Sequence, residues 1–267
     1  MPAMSPTPSI WSTLKHPAFR GIWSASSIYF IGNAMQTMAA AWLMVERTGS
    51  SFLAALVQTA VFLPMFVLAL PAGVLADTTD RRRLLLASLA VQALAVSLLA
   101  VLLLTGVAGG GTILLLTFVA GCCTAMLSPA WNSTVGEILP RDELPQAIVA
   151  MSIAYNAARA LGPALAGVVF GWAGAGWVFA LAVAGTGVMA AAFVRWPPKP
   201  HPPSRLPAER LWGGTLAGLR YAWHSETILA QLVRTAAYGA AGSALWALLP
   251  VIGQQRLGLG AQGFGAL

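Results

Sequence analysis

Seven stretches of this sequence are apolar for long enough to cross a lipid bilayer: residues 22–45, 52–76, 84–104, 112–135, 146–171, 175–194 and 227–251. A helix needs about 20 apolar residues to traverse the roughly 30 Å hydrocarbon core. Transmembrane strands instead show alternating segments of about ten residues, and these runs are continuous. The fold class is therefore an all-α membrane protein. Composition agrees, since only 9% of residues are charged against about 25% in soluble domains. The first run follows Lys15 and Arg20 and contains Ala39-Ala40-Ala41, features it shares with a signal peptide. It is too long for the apolar region of one and is interrupted by Asn33 and Gln36, so it is read as a helix that stays.

Orientation follows from where the cations fall. With the N-terminus in the cytoplasm, eleven of the fifteen Lys and Arg residues lie inside, only Arg47 and Arg256 lie outside, and Arg159 and Arg234 fall within spans. This is the positive-inside pattern expected of a multi-pass protein of the cell (inner) membrane. The net charge of +7 is thus topological. It suits anionic headgroups of the lipid bilayer and gives no reason to expect nucleic acid, which calls for a basic patch on a soluble module. Cys122 and Cys123 are adjacent in the fourth span, and His16, His201 and His224 are scattered. No ligand spacing results, and neither a metal nor a cofactor is expected.

Residues 1–21 read as a cytoplasmic N-terminus and residues 22–194 as a six-helix transmembrane bundle. Residues 195–226 form a cytoplasmic proline-rich linker: WPPKPHPPSRLPAERLW, from Trp196 to Trp212, holds six prolines and behaves as a semi-rigid spacer. Within it, residues 208–224 suit a short interfacial helix. Residues 227–267 hold the seventh transmembrane helix and the start of a further unit. Six helices, a linker and the first helix of a second unit is the plan of a transporter built from two halves. The chain is therefore expected to be truncated, an incomplete transporter whose C-terminal half is missing.

Charge is scarce elsewhere, yet five of the seven residues from Asp77 to Arg83 are charged, between the second and third spans on the cytoplasmic side. The stretch GVLADTTDRRRLLL resembles the loop signature of the major facilitator superfamily at Gly73, Leu75, Asp77, Arg81 and Arg82, and departs from it at Thr78 and Asp80. A second stretch, SPAWNSTVGEILPRDELPQAIVAMSIAYNAARALGPALAG from Ser128 to Gly167, completes an ordered set similar to the enterobactin exporter-like branch, the transmembrane secretion effectors. This resemblance runs from about Pro17 to the end of the chain. It implies efflux by alternating access, with a proton as the coupling ion. It also implies that Gly73, Asp77, Arg81 and Arg82 form a conformational gate, the Asp latching onto a helix of the other half. An anion near a helix N-terminus gains about 0.3–1 kcal/mol, enough to bias conformers a few kcal/mol apart. The alternative is that Arg81, Arg82 and Arg83 serve only as a topology determinant.

On the fifth span, Ser152, Asn156, Arg159 and Pro163 are spaced four, three and four and share one face. Ala158, Gly162 and Ala166 form a neighbouring stripe of small residues that lets two membrane helices approach closely. Pro163 removes one backbone hydrogen bond. Arg159 stands near mid-span, where a charge costs about 2.5–3.5 kcal/mol, and all eight carboxylates map to span ends or loops. Two readings follow: Arg159 lines a substrate cavity and favours an anionic substrate, or it makes a structural ion pair or hydrogen bonds to neighbouring helices.

A second polar stripe runs through Ser26, Tyr29, Asn33 and Gln36 of the first span. Gln58, Asn132, Gln231, Arg234 and Tyr238 lie on the second, fourth and seventh. The resemblance implies that these helices, with the fifth, border a central cavity; ordinary interhelical hydrogen bonding is the alternative for each residue, and Arg234 can also snorkel to the inner surface. The expected function is secondary active transport, exporting a small amphiphilic or anionic molecule that is siderophore or drug-like. A non-transporting membrane protein with an assembly or regulatory role is the rival. An enzyme is not expected, because no nucleotide-binding loop and no nucleophile beside a base is present.

Overall fold

The computed structural model describes residues 10–196 and 211–252. The first nine residues, most of the proline-rich linker and the last fifteen residues lie outside the described residues, and with them Lys199, Arg205, Arg210 and Arg256 of the charge distribution. The described residues form helices and no strand: α1 (Ile10–Thr13), α2 (Pro17–Thr48), α3 (Ser51–Thr78), α4 (Arg81–Leu104), α5 (Gly110–Ile138), α6 (Leu144–Ala173), α7 (Ala175–Arg195), α8 (Leu211–His224) and α9 (Glu226–Val251).

Each expected span lies inside one helix, and most helices run past the apolar residues at both ends. The reason is capping. Apolar runs stop where polar residues start, whereas a helix stops where its end groups find partners. Ser50 accepts from the Leu53 N–H at 3.3 Å to start α3, and Asp80 accepts from the Arg83 N–H at 3.1 Å to start α4. Proline in the first turn opens α2 and α6, where its missing N–H costs nothing. A single residue, Gly174, joins α6 to α7 at φ 85°, a backbone geometry that disfavours any side chain.

Six of the described helices, α2 to α7, are long and apolar enough to cross a membrane. The seventh expected span is also helical, as the 26-residue α9, but α9 is not among those six; its first half carries Glu226, Gln231 and Arg234.

Helix α2 is central. It lies mainly against α6 and α7, while α3 pairs with α5, and α4 joins α5 to α7. Contact between these helices is close because small residues stand at the crossings. A Cβ on Gly162 of α6 would come 2.5 Å from the Ala34 Cβ of α2, so the α2–α6 approach depends on glycine there. Ala158 and Ala166, one turn to either side, are fully buried.

The α3–α5 crossing uses a proline as well. Pro64 has no N–H to return to the carbonyl of Ala60, and that oxygen would stand 2.6 Å from a Cβ placed on Gly121 of α5. Only a hydrogen fits at that place, so this crossing too depends on glycine.

The interior holds two apolar clusters. One gathers Met38 to Val45 with Leu99, Leu103, Ile113 and Phe179. The other gathers Phe19, Ile22, Leu85, Leu89, Trp131, Phe193 and Trp196 at the opposite end of the bundle.

Candidate functional site: a polar face on α6 and a charged end

Between the apolar clusters lies a polar contact of three helices. The Tyr29 hydroxyl of α2 donates to Gln92 Oε1 of α4 at 3.0 Å, and Gln92 Nε2 donates to Thr124 Oγ1 of α5 at 3.5 Å. Tyr29 is 3% exposed and Gln92 1%. Tyr29 therefore sits inside the bundle and reaches no open surface. Gln92 and Thr124 escaped the sequence reading, although Gln92 is the single amide in the third apolar run and that isolation was the available signal.

Farther along α2, Gln36 Nε2 donates to Asn33 Oδ1 at 3.0 Å; Gln36 is buried and Asn33 half-buried. Gln58 of α3 is half-buried, and Asn132 of α5 is exposed.

The polar face of α6 points outward. Ser152, Asn156 and Arg159 are all exposed, while Ala154 and Ala158 on the opposite side are buried against the bundle. Asn156 Nδ2 donates to the Ser152 carbonyl at 2.8 Å, and the Arg159 guanidinium lies over the Tyr155 ring, 6.0 Å from its centroid. Such a cation–π contact keeps a charge favourable where water is scarce. Pro163, one turn on and half-buried, cannot donate to the carbonyl of Arg159. The middle of α6 thus offers a cationic side chain, two hydroxyls and an amide on one surface. Trp23 Nε1 holds α6 to α2 from behind by donating to the Ala150 carbonyl at 3.0 Å.

Arg234 and Tyr238 of α9 are exposed, Tyr238 by 84%.

At the other locus, the charged loop binds four helix ends together. Arg81 pairs with Glu137 at the end of α5, and its Nη2 stands 3.8 Å from Asp77 at the end of α3. Its Nε also donates to the Ala76 carbonyl at 3.4 Å. Arg82 donates through Nε to the Phe193 carbonyl at 3.0 Å and through Nη2 to that of Val194. Those carbonyls close α7, where the helix offers no partner of its own and a cation is favoured. Gly73 is half-buried one turn before Asp77. Nearby, His16 Nε2 at the start of α2 stands 3.1 Å from Glu143 Oε2 at the start of α6, an oxygen that is buried and accepts no hydrogen bond among the described residues. Glu137 was missed from sequence, although the expected topology already put it on the same side as Arg81.

Glu137 is 11% exposed and Asp77 73%. Losing the buried partner strands a charge, whereas an exposed pair contributes about 0–1 kcal/mol. Glu137→Gln should therefore cost roughly 1–3 kcal/mol of stability and Asp77→Asn far less, read as thermal midpoints of the purified chain in detergent. Equal losses would mean that the Arg81–Glu137 contact does not hold the end of the bundle.

A family model described as transmembrane secretion effector matches residues 8–267. The chain belongs to that family. Among its curated relatives, the multidrug efflux pump Tap of Mycolicibacterium fortuitum is 27% identical over 220 residues, 78% of this chain and 53% of Tap. Macrolide efflux protein A of Streptococcus pyogenes is 26% identical over 126 residues, 47% of this chain and 31% of that protein. The staphyloferrin A transporter of Staphylococcus aureus is 25% identical over 147 residues, 55% of this chain and 37% of that protein. The chain spans about half the length of Tap and about a third of the other two. These relatives are named as efflux and transport proteins, and the family is of the major facilitator type.

Proposed function

We propose that this chain is the N-terminal half of a secondary active exporter of the major facilitator type. It works with a second six-helix half, moves a small amphiphilic or anionic molecule by alternating access, and uses a proton as coupling ion. The observation that carries this reading is the exposed polar face of Ser152, Asn156 and Arg159 at the middle of a helix apolar enough to span the membrane. A guanidinium at that depth is too costly to face acyl chains. A water-containing cavity shared with a second half removes that cost and presents a cation to the substrate. Support for a small-molecule substrate comes from the names of the relatives, which give macrolide efflux, multidrug efflux and staphyloferrin A transport.

In this proposal the N-terminus is cytoplasmic, the membrane is the cell (inner) membrane, and α9 is the seventh span. Gly73, Asp77, Arg81 and Arg82 then lie at the cytoplasmic gate, where exposed Asp77 is placed to meet the other half. The stripe of Ala158, Gly162 and Ala166 keeps α6 on α2, so that the polar face stays turned to the cavity.

The test is accumulation of candidate drugs and siderophores in cells making the 267 residues alone or joined to a second half, each carrying a reporter at Pro202. The joined form should lower accumulation, the 267 residues by themselves should not, because alternating access needs two halves to rock about the site, and the reporter should read cytoplasmic. Unchanged accumulation with the joined form at normal abundance would favour an assembly or regulatory role instead.

A further inference from the structure

Helix α8 turns Gly214 and Gly218 to the protein and Leu216, Leu219 and Trp223 away. Gly214 is buried, and a Cβ on Gly218 would meet Leu70 of α3 at 3.6 Å, an ordinary contact. Thr215 and Ala222, on the same side of a 3.6-residue helix, are half-buried. Leu216, Leu219 and Trp223, spaced three and four, form the outer face and are 49%, 51% and 70% exposed. Arg220 and His224, spaced four, are exposed along one edge of that face. Tyr221 is exposed too. The sequence from Leu211 to Ser225 contains no acidic residue. A helix meant for water would bury Leu219 and Trp223; this one exposes them and buries Gly214 instead.

Its height is set by α3. Leu70 lies seven residues before Asp77, the first charged residue at that end. At about 1.5 Å per residue that is roughly 10 Å, which puts the α3–α8 contact where hydrocarbon gives way to headgroups.

We propose that α8 is an interfacial helix, its Leu216–Leu219–Trp223 face seated at the acyl and headgroup border of an anionic leaflet, with Arg220 and His224 at the lipid phosphates. Leucine and tryptophan opposite a cationic edge suit that border, tryptophan and tyrosine are enriched there, and a basic residue near an anionic surface is attracted to it. Arg220 is a permanent cation, and the basic excess on the same side of the sequence points to the same partner.

The test uses the full chain with Cys122→Ala and Cys123→Ala, labelled with a bimane dye at Leu219→Cys or, in a second preparation, at Leu216→Cys. It is reconstituted in vesicles of phosphatidylcholine alone or mixed with phosphatidylglycerol. Ala217→Cys, exposed on the other side of the helix, serves as reference. In the mixed vesicles, spin-labelled lipid should quench the dye at both leucine positions and aqueous iodide should not, with the opposite pattern at Ala217. Arg220→Gln should shift the balance between seated and lifted helix about fivefold toward lifted, the share expected of one basic residue. Iodide access at Leu216 and Leu219 would overturn the proposal by showing a solvent face. Protection from both quenchers would overturn it by showing a protein cover, whether a second copy or another segment. Equal lipid quenching in the two kinds of vesicle would overturn the anionic leaflet as the partner.

Discussion

Arg159→Gln, in a chain joined to a second six-helix half, should reach normal membrane abundance and lose most export of an anionic substrate, while Arg159→Lys retains part. The guanidinium is exposed on α6 and rests over the Tyr155 ring, so removing its charge leaves the α2–α6 crossing at Gly162 untouched. What is lost is attraction for a substrate anion, and a pair of unit charges about 4 Å apart is worth roughly 4 kcal/mol at an effective dielectric near 20. Lysine restores the charge without the planar fork that binds a carboxylate through two parallel hydrogen bonds, hence partial recovery. The measurement is substrate accumulation in cells beside protein abundance in membranes. If Arg159→Gln removes the protein from the membrane while surviving molecules export normally, Arg159 is structural and the site proposal fails.

Gly121→Val should be the most damaging change inside the bundle. The added Cβ would meet the Ala60 carbonyl at 2.6 Å, the Val61 carbonyl at 3.1 Å and Pro64 Cγ at 3.3 Å. Two of these atoms belong to the backbone of α3, which cannot rotate away as a side chain can, so the α3–α5 crossing must open along its length. Overpacking commonly costs about 1–3 kcal/mol; here a loss toward about 4 kcal/mol is expected, at the upper end for single substitutions. Gly136 on the same helix faces open space, and Gly136→Val should leave stability within about 0.5 kcal/mol. Thermal unfolding in detergent compares the two. Similar midpoints for both variants would mean that the crossing tolerates separation.

Six of the expected spans were legible because a bilayer imposes a length and a composition that apolar runs display directly; the seventh run also fell within one helix, α9, which is not among those six. The ends were less so, since Ser50 and Asp80 act as caps through their side chains and lie beyond the runs that periodicity detects. The small stripe on α6 could be read from spacing alone, but its target, Ala34 of α2, could not, because spacing describes one helix and says nothing about its neighbour. Tyr29 illustrates the same limit: the stripe Ser26–Tyr29–Asn33–Gln36 was visible, yet only packing decides that Tyr29 points to Gln92. Arg82 was legible as a charge, whereas its bonds to the last carbonyls of α7 join residues more than a hundred positions apart.

The contact of Tyr29, Gln92 and Thr124 has a consequence for how the chain is made. Helices enter a membrane in the order of synthesis, so α2 arrives with its hydroxyl, α4 follows with its amide, and α5 brings the last member. Until α4 enters, the Tyr29 hydroxyl lacks the Gln92 acceptor, and until α5 enters, Gln92 lacks Thr124. An unmet polar group in hydrocarbon costs several kcal/mol, which draws each newcomer toward the helices already present. The trio should then act as a chronological lock, with Gln92→Leu expected to slow the closing of the bundle after insertion, read as longer protease sensitivity of newly made chains in membranes; unchanged sensitivity would mean that the order of arrival plays no part.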